Sequence, residues 1–189
     1  MNIGDFGTEQ PGTTRTRGVK KESALRLPRA VYRDLRAHGE ETWPHECCGA
    51  LLGRAMQGGG TEVGTNGWEV DSMVRAINIR ADVSAGASRD RYEIAPAELV
   101  RIAEEAHSRG LEIAGFYHSH PDHPAQPSST DLAEAHWLGC SYVITEVAQG
   151  KAALTKAFLL RGTAEEDKHF EPQTIQIVEP RSDSRRFPK

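Results

Sequence analysis

The sequence predicts an α+β domain with three layers, in which helices flank a mixed β-sheet. Apolar residues recur at helical spacing in two segments, one after Pro28 and one after Pro96. Most other apolar residues fall in short runs that glycine, proline or polar turns bound, as is typical of strands. These runs do not alternate regularly with helices, and this argues against a doubly wound fold and favours a mixed sheet.

Each predicted element rests on a local pattern. Pro28 suits the first turn of a helix that extends to about Glu41, before Trp43-Pro44. Pro96 opens a second helix, which ends at Gly110, and a third helix covers about 129–138. The predicted strands are 47–52, one or two within 62–79 with a bend at Asn66-Gly67, a short one at 92–94, then 111–117, 141–146, 152–160 and 173–178.

The 189 residues suggest one folded domain with tails. Residues 1–22 are rich in glycine, threonine and charge without an apolar period, so we expect a disordered tail. The domain then covers 23–180, and 181–189 form a basic tail. Residues 56–60 are expected to form a turn, and 80–91 a polar surface loop.

Composition excludes several functional classes. A net charge of −4 gives no reason to expect a nucleic-acid partner. No run approaches the roughly 20 apolar residues that span a bilayer, and the first residues contain no secretory signal, so no membrane association is expected. Three cysteines, two of them adjacent, do not make a disulfide framework, and this favours a reducing cytoplasm. No feature of the sequence specifies an oligomeric state.

The segment after the predicted strand 111–117 carries the clearest chemical signal. His118 and His120 are two residues apart at a strand end, where side chains alternate, so both imidazoles point to the same side. Asp131, eleven residues later and early in a helix, can supply a third ligand. Three protein ligands with one open position are typical of catalytic zinc, whereas structural zinc usually has four protein ligands.

Two further residues suit hydrolysis. Glu46 lies at the start of an apolar strand and can move a proton from an attacking water to a leaving amine. Ser128 can hydrogen-bond a developing oxyanion, or it can cap the helix that contains Asp131.

The pattern H-S-H, seven residues, S, two residues, D resembles the JAMM motif of the MPN+ metalloprotease family. The segment 45–53, His-Glu-Cys-Cys-Gly-Ala-Leu-Leu-Gly, is similar to the glutamate strand of its small prokaryotic members. The resemblance extends from about 28 to 178 and implies a cytidine-deaminase-like fold with one zinc ion per chain. It also implies zinc ligands at His118, His120 and Asp131, a general acid/base at Glu46 and oxyanion stabilisation by Ser128.

The resemblance also implies a substrate class, because the family cleaves amide bonds at the carboxyl end of ubiquitin or ubiquitin-like proteins. Members that grip ubiquitin carry a long insertion after the metal aspartate. Here only nine residues separate Asp131 from Ser141, too few for that insertion. We therefore expect a ubiquitin-like substrate of the ThiS/MoaD sulfur-carrier type, as in small bacterial relatives.

Two other interpretations remain at this level. His118, His120, Asp122 and His123 also match H-x-H-x-D-H, the signature of the metallo-β-lactamase fold. That fold needs further ligands downstream and usually a longer chain. The third interpretation is a non-catalytic, zinc-containing module that binds ubiquitin-like proteins, as some relatives have become scaffolds. The aspartate that binds metal, Asp131 or Asp122, discriminates the metallo-β-lactamase interpretation, and turnover discriminates the non-catalytic one.

Overall fold

The computed structural model describes residues 23–56, 66–80 and 91–179, and these form seven strands and three helices. In chain order the elements are β1 (Ala24–Pro28), α1 (Arg29–Thr42), β2 (Cys48–Ala55), β3 (Gly67–Ala76), α2 (Pro96–Ser108), β4 (Glu112–Pro121), α3 (Ser129–Glu134), β5 (Ser141–Ala148), β6 (Lys151–Arg161) and β7 (His169–Val178).

The seven strands form a closed barrel in the order β1-β3-β2-β4-β5-β6-β7. The pairs β1–β3, β1–β7 and β4–β5 are parallel, and the other pairs are antiparallel. Strand β1 closes the barrel, because its residues pair with 67–69 on one side and with 174–178 on the other.

The predicted three-layer α+β arrangement is therefore wrong. The protein is mostly β, and its mixed sheet closes on itself instead of lying flat between helical layers. The error has a local cause, since β1 is only five residues long and no strand was predicted there. Without β1, no element was available to join β3 to β7 and remove both sheet edges.

Helix α1 occupies the inner, concave side of the barrel. Val31 and Leu35, one helical turn apart, lie on its buried face. The helix packs against six of the seven strands, β1, β3, β4, β5, β6 and β7, and its buried residues share one core with residues of these strands. The inner core contains Leu25, Leu27, Val31, Leu35, Cys47, Leu51, Trp68, Val70, Ala114, Tyr117, Val143 and Ala157.

Helix α2 covers part of the outer side. Pro96 is its first residue, as its fixed φ favours, and Ile102 and Ala106 face the sheet. Neighbouring residues of one strand enter different cores, as Phe116 and Tyr117 do, because side chains alternate across a sheet. The outer core contains Cys48, Ala50, Leu52, Ala76, Ile94, Ile102, Ala106, Leu111, Ile113, Phe116, Ala135, Cys140, Tyr142 and Leu160.

Most local predictions are confirmed to within a few residues, including both longer helices and the strands that became β2, β4, β5 and β6. Residues 92–94 contribute only an isolated bridge between Asn78 and Ile94. The third helix ends at Glu134, four residues early, and β7 begins at His169 rather than near 173. The predicted tails 1–22 and 181–189 lie outside the described residues, and so do the turn 56–60 apart from its first residue and the loop 80–91 apart from its two end residues.

Within the described ranges, no helix combines the length and the apolar character of a membrane-spanning segment.

A buried histidine on α1 should make stability depend on pH. Nδ1 of His38 lies 2.9 Å from the hydroxyl oxygen of Tyr117, and burial, aided by the positive charge of Arg75 and opposed by Glu41, lowers its pKa to about 4. The unfolded chain binds this proton near pH 6.5, so acidification from pH 6.5 to 4 favours unfolding. We expect this histidine to account for up to about 3 kcal/mol of the stability lost over that interval.

Urea unfolding at several pH values, with a chelator present, measures this contribution. His38→Gln should lose less stability than the wild type on acidification, because it has no imidazole to protonate. A matched control, His107→Gln, removes an exposed imidazole from α2. Its free energy of unfolding should depend on pH as that of the wild type does. If the free energy of unfolding of His38→Gln changes with pH as much as that of the wild type, the prediction is contradicted.

Candidate metal centre

Three side chains meet at the end of β4 and the start of α3. Nε2 of His118 lies 3.0 Å from Nε2 of His120 and 3.3 Å from Oδ1 of Asp131. Nε2 of His120 lies 3.5 Å from Oδ2 of Asp131. Tetrahedral zinc with bonds of about 2.0–2.2 Å holds its ligand atoms roughly 3.3–3.6 Å apart. Two of the three separations lie in this range, and the 3.0 Å between the imidazole nitrogens is shorter by about 0.3 Å. The three groups are therefore close to the arrangement that one zinc ion requires.

Strand β4 places both imidazoles. It lies between β2 and β5, so neither of its edges is open. His118 and His120 are two residues apart and share the outer face of the strand, as the sequence predicted. His118 is only 1% exposed, and its pKa is lowered, chiefly because burial disfavours the imidazolium. A neutral imidazole is the form that binds a metal.

Helix α3 orients the carboxylate through a capping box. The backbone N–H of Asp131 donates to Oγ of Ser128 over 3.0 Å, and the backbone N–H of Ser128 donates to Oδ2 of Asp131 over 2.6 Å. Burial by itself would raise the pKa of Asp131, but the adjacent imidazoles of His118 and His120 and the hydrogen bond from the Ser128 backbone hold it well below its usual range. The group is therefore an anion at neutral pH, as a ligand must be.

The two histidines are held in different ways. Nδ1 of His120 lies 2.9 Å from the carbonyl oxygen of Pro124, and since a carbonyl only accepts, Nδ1 carries the proton. This leaves Nε2 of neutral His120 with its lone pair toward the cluster. Nδ1 of His118 is buried, and no group in the described part of the chain forms a hydrogen bond with it.

Glu46 lies two residues before β2, the strand that pairs with the histidine-bearing β4. Cys48 pairs with His118, and the backbone N–H of Ser119 donates to the carbonyl of Cys47 over 3.2 Å, which continues the pairing of β2 with β4. Cys47 in turn donates to Oγ of Ser119 over 2.9 Å. By alternation, Glu46 shares the outer face with Cys48 and His118. Glu46 is 5% exposed, and its carbonyl accepts from Nδ2 of Asn78 over 3.2 Å.

Ser128 is exposed and has the capping role that the sequence left open. Its Oγ accepts the Asp131 N–H, which uses a lone pair and leaves the hydroxyl proton to be donated. Capping and oxyanion stabilisation are therefore compatible in one hydroxyl.

Asp122 does not join the cluster. Its carboxylate accepts the backbone N–H of Gln149 over 2.7 Å and Nε1–H of Trp43 over 3.3 Å. Among the described residues, the group that could hold a metal ion consists of His118, His120 and Asp131, without Asp122 or His123. The arrangement needed by the metallo-β-lactamase interpretation is absent from these residues.

Sequence reasoning missed one neighbour of the cluster, Tyr92. The ring of Tyr92 stacks on the imidazole of His118, with centroids 4.6 Å apart and planes at 26°. Tyr92 also lines a cavity of about 300 Å³ beside the cluster. No sequence signal identifies Tyr92, because it lies 26 positions before His118. The other cavity-lining residues are Arg80, Glu93, Ile94, Leu99, Phe116, Glu134, His136, Trp137 and Tyr142.

Comparison with known proteins points to one family. A family described as prokaryotic homologs of the JAB domain matches residues 28–160. A desampylase of Haloferax volcanii is 37% identical over 103 residues, which are 53% of this chain and 62% of the relative. A Thermus thermophilus protein named "Probable TtuB-protein conjugate cleaving protease" is 28% identical over 113 residues, 60% of this chain and 64% of the relative. The matches thus span less than two thirds of either curated relative.

Two solved structures are similar over most of their length. A Salinibacter ruber protein is 34% identical, with a TM-score of 0.55, and the alignment covers 85% of this chain and 93% of that one. A Desulfitobacterium hafniense protein has a TM-score of 0.64 at 23% identity, covering 82% and 94%. The second likeness concerns the fold alone.

The capping box yields a prediction about metal affinity. Ser128→Ala removes the acceptor of the Asp131 N–H and loosens the carboxylate, so we expect zinc binding about 10-fold weaker and a stability loss of about 1 kcal/mol. Competition with a chromophoric chelator measures the affinity. The neighbouring exposed serine is the control, and Ser129→Ala should retain wild-type affinity. Identical zinc affinities for the two variants would contradict the prediction.

Proposed function

Because the chain belongs to the family of prokaryotic JAB-domain homologs, we propose that it is a zinc-dependent peptidase or isopeptidase. Its substrate would be an amide bond at the C-terminus of a ubiquitin-like protein, with a ThiS/MoaD-type sulfur carrier as the favoured class. The cluster of His118, His120 and Asp131 is the observation that carries the proposal, and Glu46 lies buried just before β2, the strand next to β4.

The donor set favours zinc as the metal, with one ion per chain. Two imidazoles and one carboxylate suit zinc, whereas magnesium and calcium prefer oxygen ligands throughout. His118, His120 and Asp131 would hold the ion and leave one position open. When bound, zinc lowers the pKa of a coordinated water to about 7 and polarises a carbonyl group.

Glu46 would act as general base and then as general acid. Its carboxylate takes one proton from the attacking water while the water oxygen bonds to the carbonyl carbon. When the C–N bond breaks, Glu46 returns that proton to the departing amine nitrogen. The burial of Glu46 beside β4 supports this role, since water exclusion strengthens interactions with developing charge.

Ser128 would stabilise the tetrahedral intermediate. Its hydroxyl proton is available for donation, because Oγ accepts the Asp131 N–H through a lone pair. A donor that the capping box holds in place needs little reorganisation as charge develops on the carbonyl oxygen.

The relatives and the loop after the metal centre support the substrate class. The Thermus relative is named for cleaving TtuB-protein conjugates, and the Haloferax relative is named a desampylase. In this chain α3 ends at Glu134 and β5 begins at Ser141, so the connection is too short for a ubiquitin-gripping insertion.

Elemental analysis tests the metal centre directly. We expect about one zinc per chain in the wild type and little in Asp131→Ala, since two histidines bind zinc more weakly than three ligands do. Asp122→Asn is the matched control and should keep its zinc. Two metals per chain that are insensitive to Asp131 would favour the metallo-β-lactamase interpretation, and no zinc in the wild type would contradict the proposal.

Glu46→Gln tests the chemistry apart from the metal. The amide cannot accept the proton, so turnover of a sulfur carrier joined through its C-terminus to a lysine side chain should fall by about 100-fold or more. Zinc content should remain near one per chain, because Glu46 is not a proposed ligand. Glu104→Gln, an exposed change on α2, should leave activity intact. If the wild type binds both zinc and the carrier without cleaving it, the chain is a binding module.

A further inference from the structure

The two histidines of the cluster differ in how their ring planes are held. A metal-binding imidazole usually donates its second N–H to a carbonyl or carboxylate, and this bond fixes the ring orientation. His120 has such a bond to the carbonyl of Pro124. At His118 the corresponding atom, Nδ1, is fully buried, and no described residue offers it a hydrogen bond. Packing must therefore fix the orientation of the His118 ring.

Tyr92 provides that packing. Its ring lies nearly parallel to the imidazole, with centroids 4.6 Å apart and planes at 26°, which is an offset-stacking distance. The torsion about Cβ–Cγ of histidine has broad minima, so the side chain itself imposes little preference on the ring plane. Rotation of the imidazole about this bond would drive its edge into the Tyr92 ring. The stack thus restricts the motion that a hydrogen bond would otherwise restrict.

Tyr92 is itself held on a segment tied to Glu46. The side chain of Asn78 donates to the carbonyls of Glu46 and Arg91, over 3.2 and 3.1 Å, and accepts the backbone N–H of Glu93 over 3.1 Å. The backbone N–H of Ile79 donates to the carbonyl of Glu93 over 3.0 Å. These bonds bracket Tyr92 on both sides in sequence. The aromatic ring is therefore anchored to the same backbone that carries the proposed general base.

We propose that Tyr92 is a positioning residue, which orients His118 for metal binding by stacking instead of by a hydrogen bond. The inference rests on the metal centre of the proposed function. The ring of Tyr92, and not its hydroxyl, would orient the imidazole of His118, as the carbonyl of Pro124 orients the imidazole of His120. Removal of the ring should weaken zinc binding about 10- to 100-fold, the usual effect of losing the group that orients a metal ligand.

Zinc affinity and the visible spectrum of the cobalt(II)-substituted protein test this inference without an activity assay. Tyr92→Leu should bind zinc 10- to 100-fold more weakly and alter the ligand-field bands of cobalt. Tyr92→Phe should match the wild type in both measurements. The control is Trp137→Leu, which removes an aromatic ring that lines the same cavity but packs on Phe116, and it should retain the wild-type spectrum.

The outcomes separate the two proposals. If the wild type binds no zinc, the metal centre itself is wrong. If the wild type binds zinc and Tyr92→Leu binds it equally well with the same cobalt spectrum, only the role of Tyr92 is overturned. Equal weakening in Tyr92→Phe and Tyr92→Leu would assign the effect to the hydroxyl and also overturn the inference. If Tyr92→Leu does not fold, nuclear Overhauser effects between the Tyr92 and His118 rings in the zinc-loaded wild type decide, and their absence contradicts the stack.

Discussion

The antiparallel pairing of β2 with β4 is the constraint on which the candidate site depends. Cys48 stands opposite His118, and the bonds between Cys47 and Ser119 extend the pairing to the residue that follows Glu46. Gly49 makes this close approach feasible, since a Cβ there would lie 2.4 Å from the Tyr117 ring and 2.3 Å from the carbonyl oxygen of Val74. A one-residue slip would turn Glu46 away from the histidines, because side chains alternate with period two.

Burial makes the close approach of the three polar side chains in the cluster energetically costly. Two imidazole nitrogens stand 3.0 Å apart beside a carboxylate, and little of any of the three side chains reaches solvent. Lone pairs that face one another at this distance need a shared proton or cation, and desolvation increases the cost when neither is present. Because the three groups suit a zinc ion, we expect metal binding to stabilise the part of the fold that contains them. The pairing of β2 with β4 and the capping box of α3 bring the ligands together from distant parts of the chain.

Closure of the barrel explains how so small a domain holds the cluster of His118, His120 and Asp131 in place. Helix α1 fills the inner face, where Gly39 lies so close to Ser119 and Val147 that an added Cβ would be only 3.2 and 3.0 Å from them. His118 and His120 share the outer face of the sheet, with Asp131 of α3, Tyr92 and the adjoining cavity near them. One face of the sheet thus serves mainly for packing, while the other combines packing with the cluster. Strand β4 links the two functions, since Tyr117 enters the inner core and His118 the outer face.

Local periodicity allowed the sequence by itself to predict α1, α2, most strands and the common side of His118 and His120, because each depends only on neighbouring residues. The sequence likewise indicated that Asp131 lies at the start of a helix, where the structure has it. The end of α3 depends on tertiary contacts instead, since Lys168 binds the carbonyls of Ala133 and Ala135 there. Barrel closure joins residues near 26 to residues near 176, and the stack of Tyr92 on His118 joins two separate segments. Only the tertiary structure determined the barrel closure and the stack of Tyr92 on His118, because no local sequence pattern predicts which distant residue a strand edge or an aromatic ring contacts.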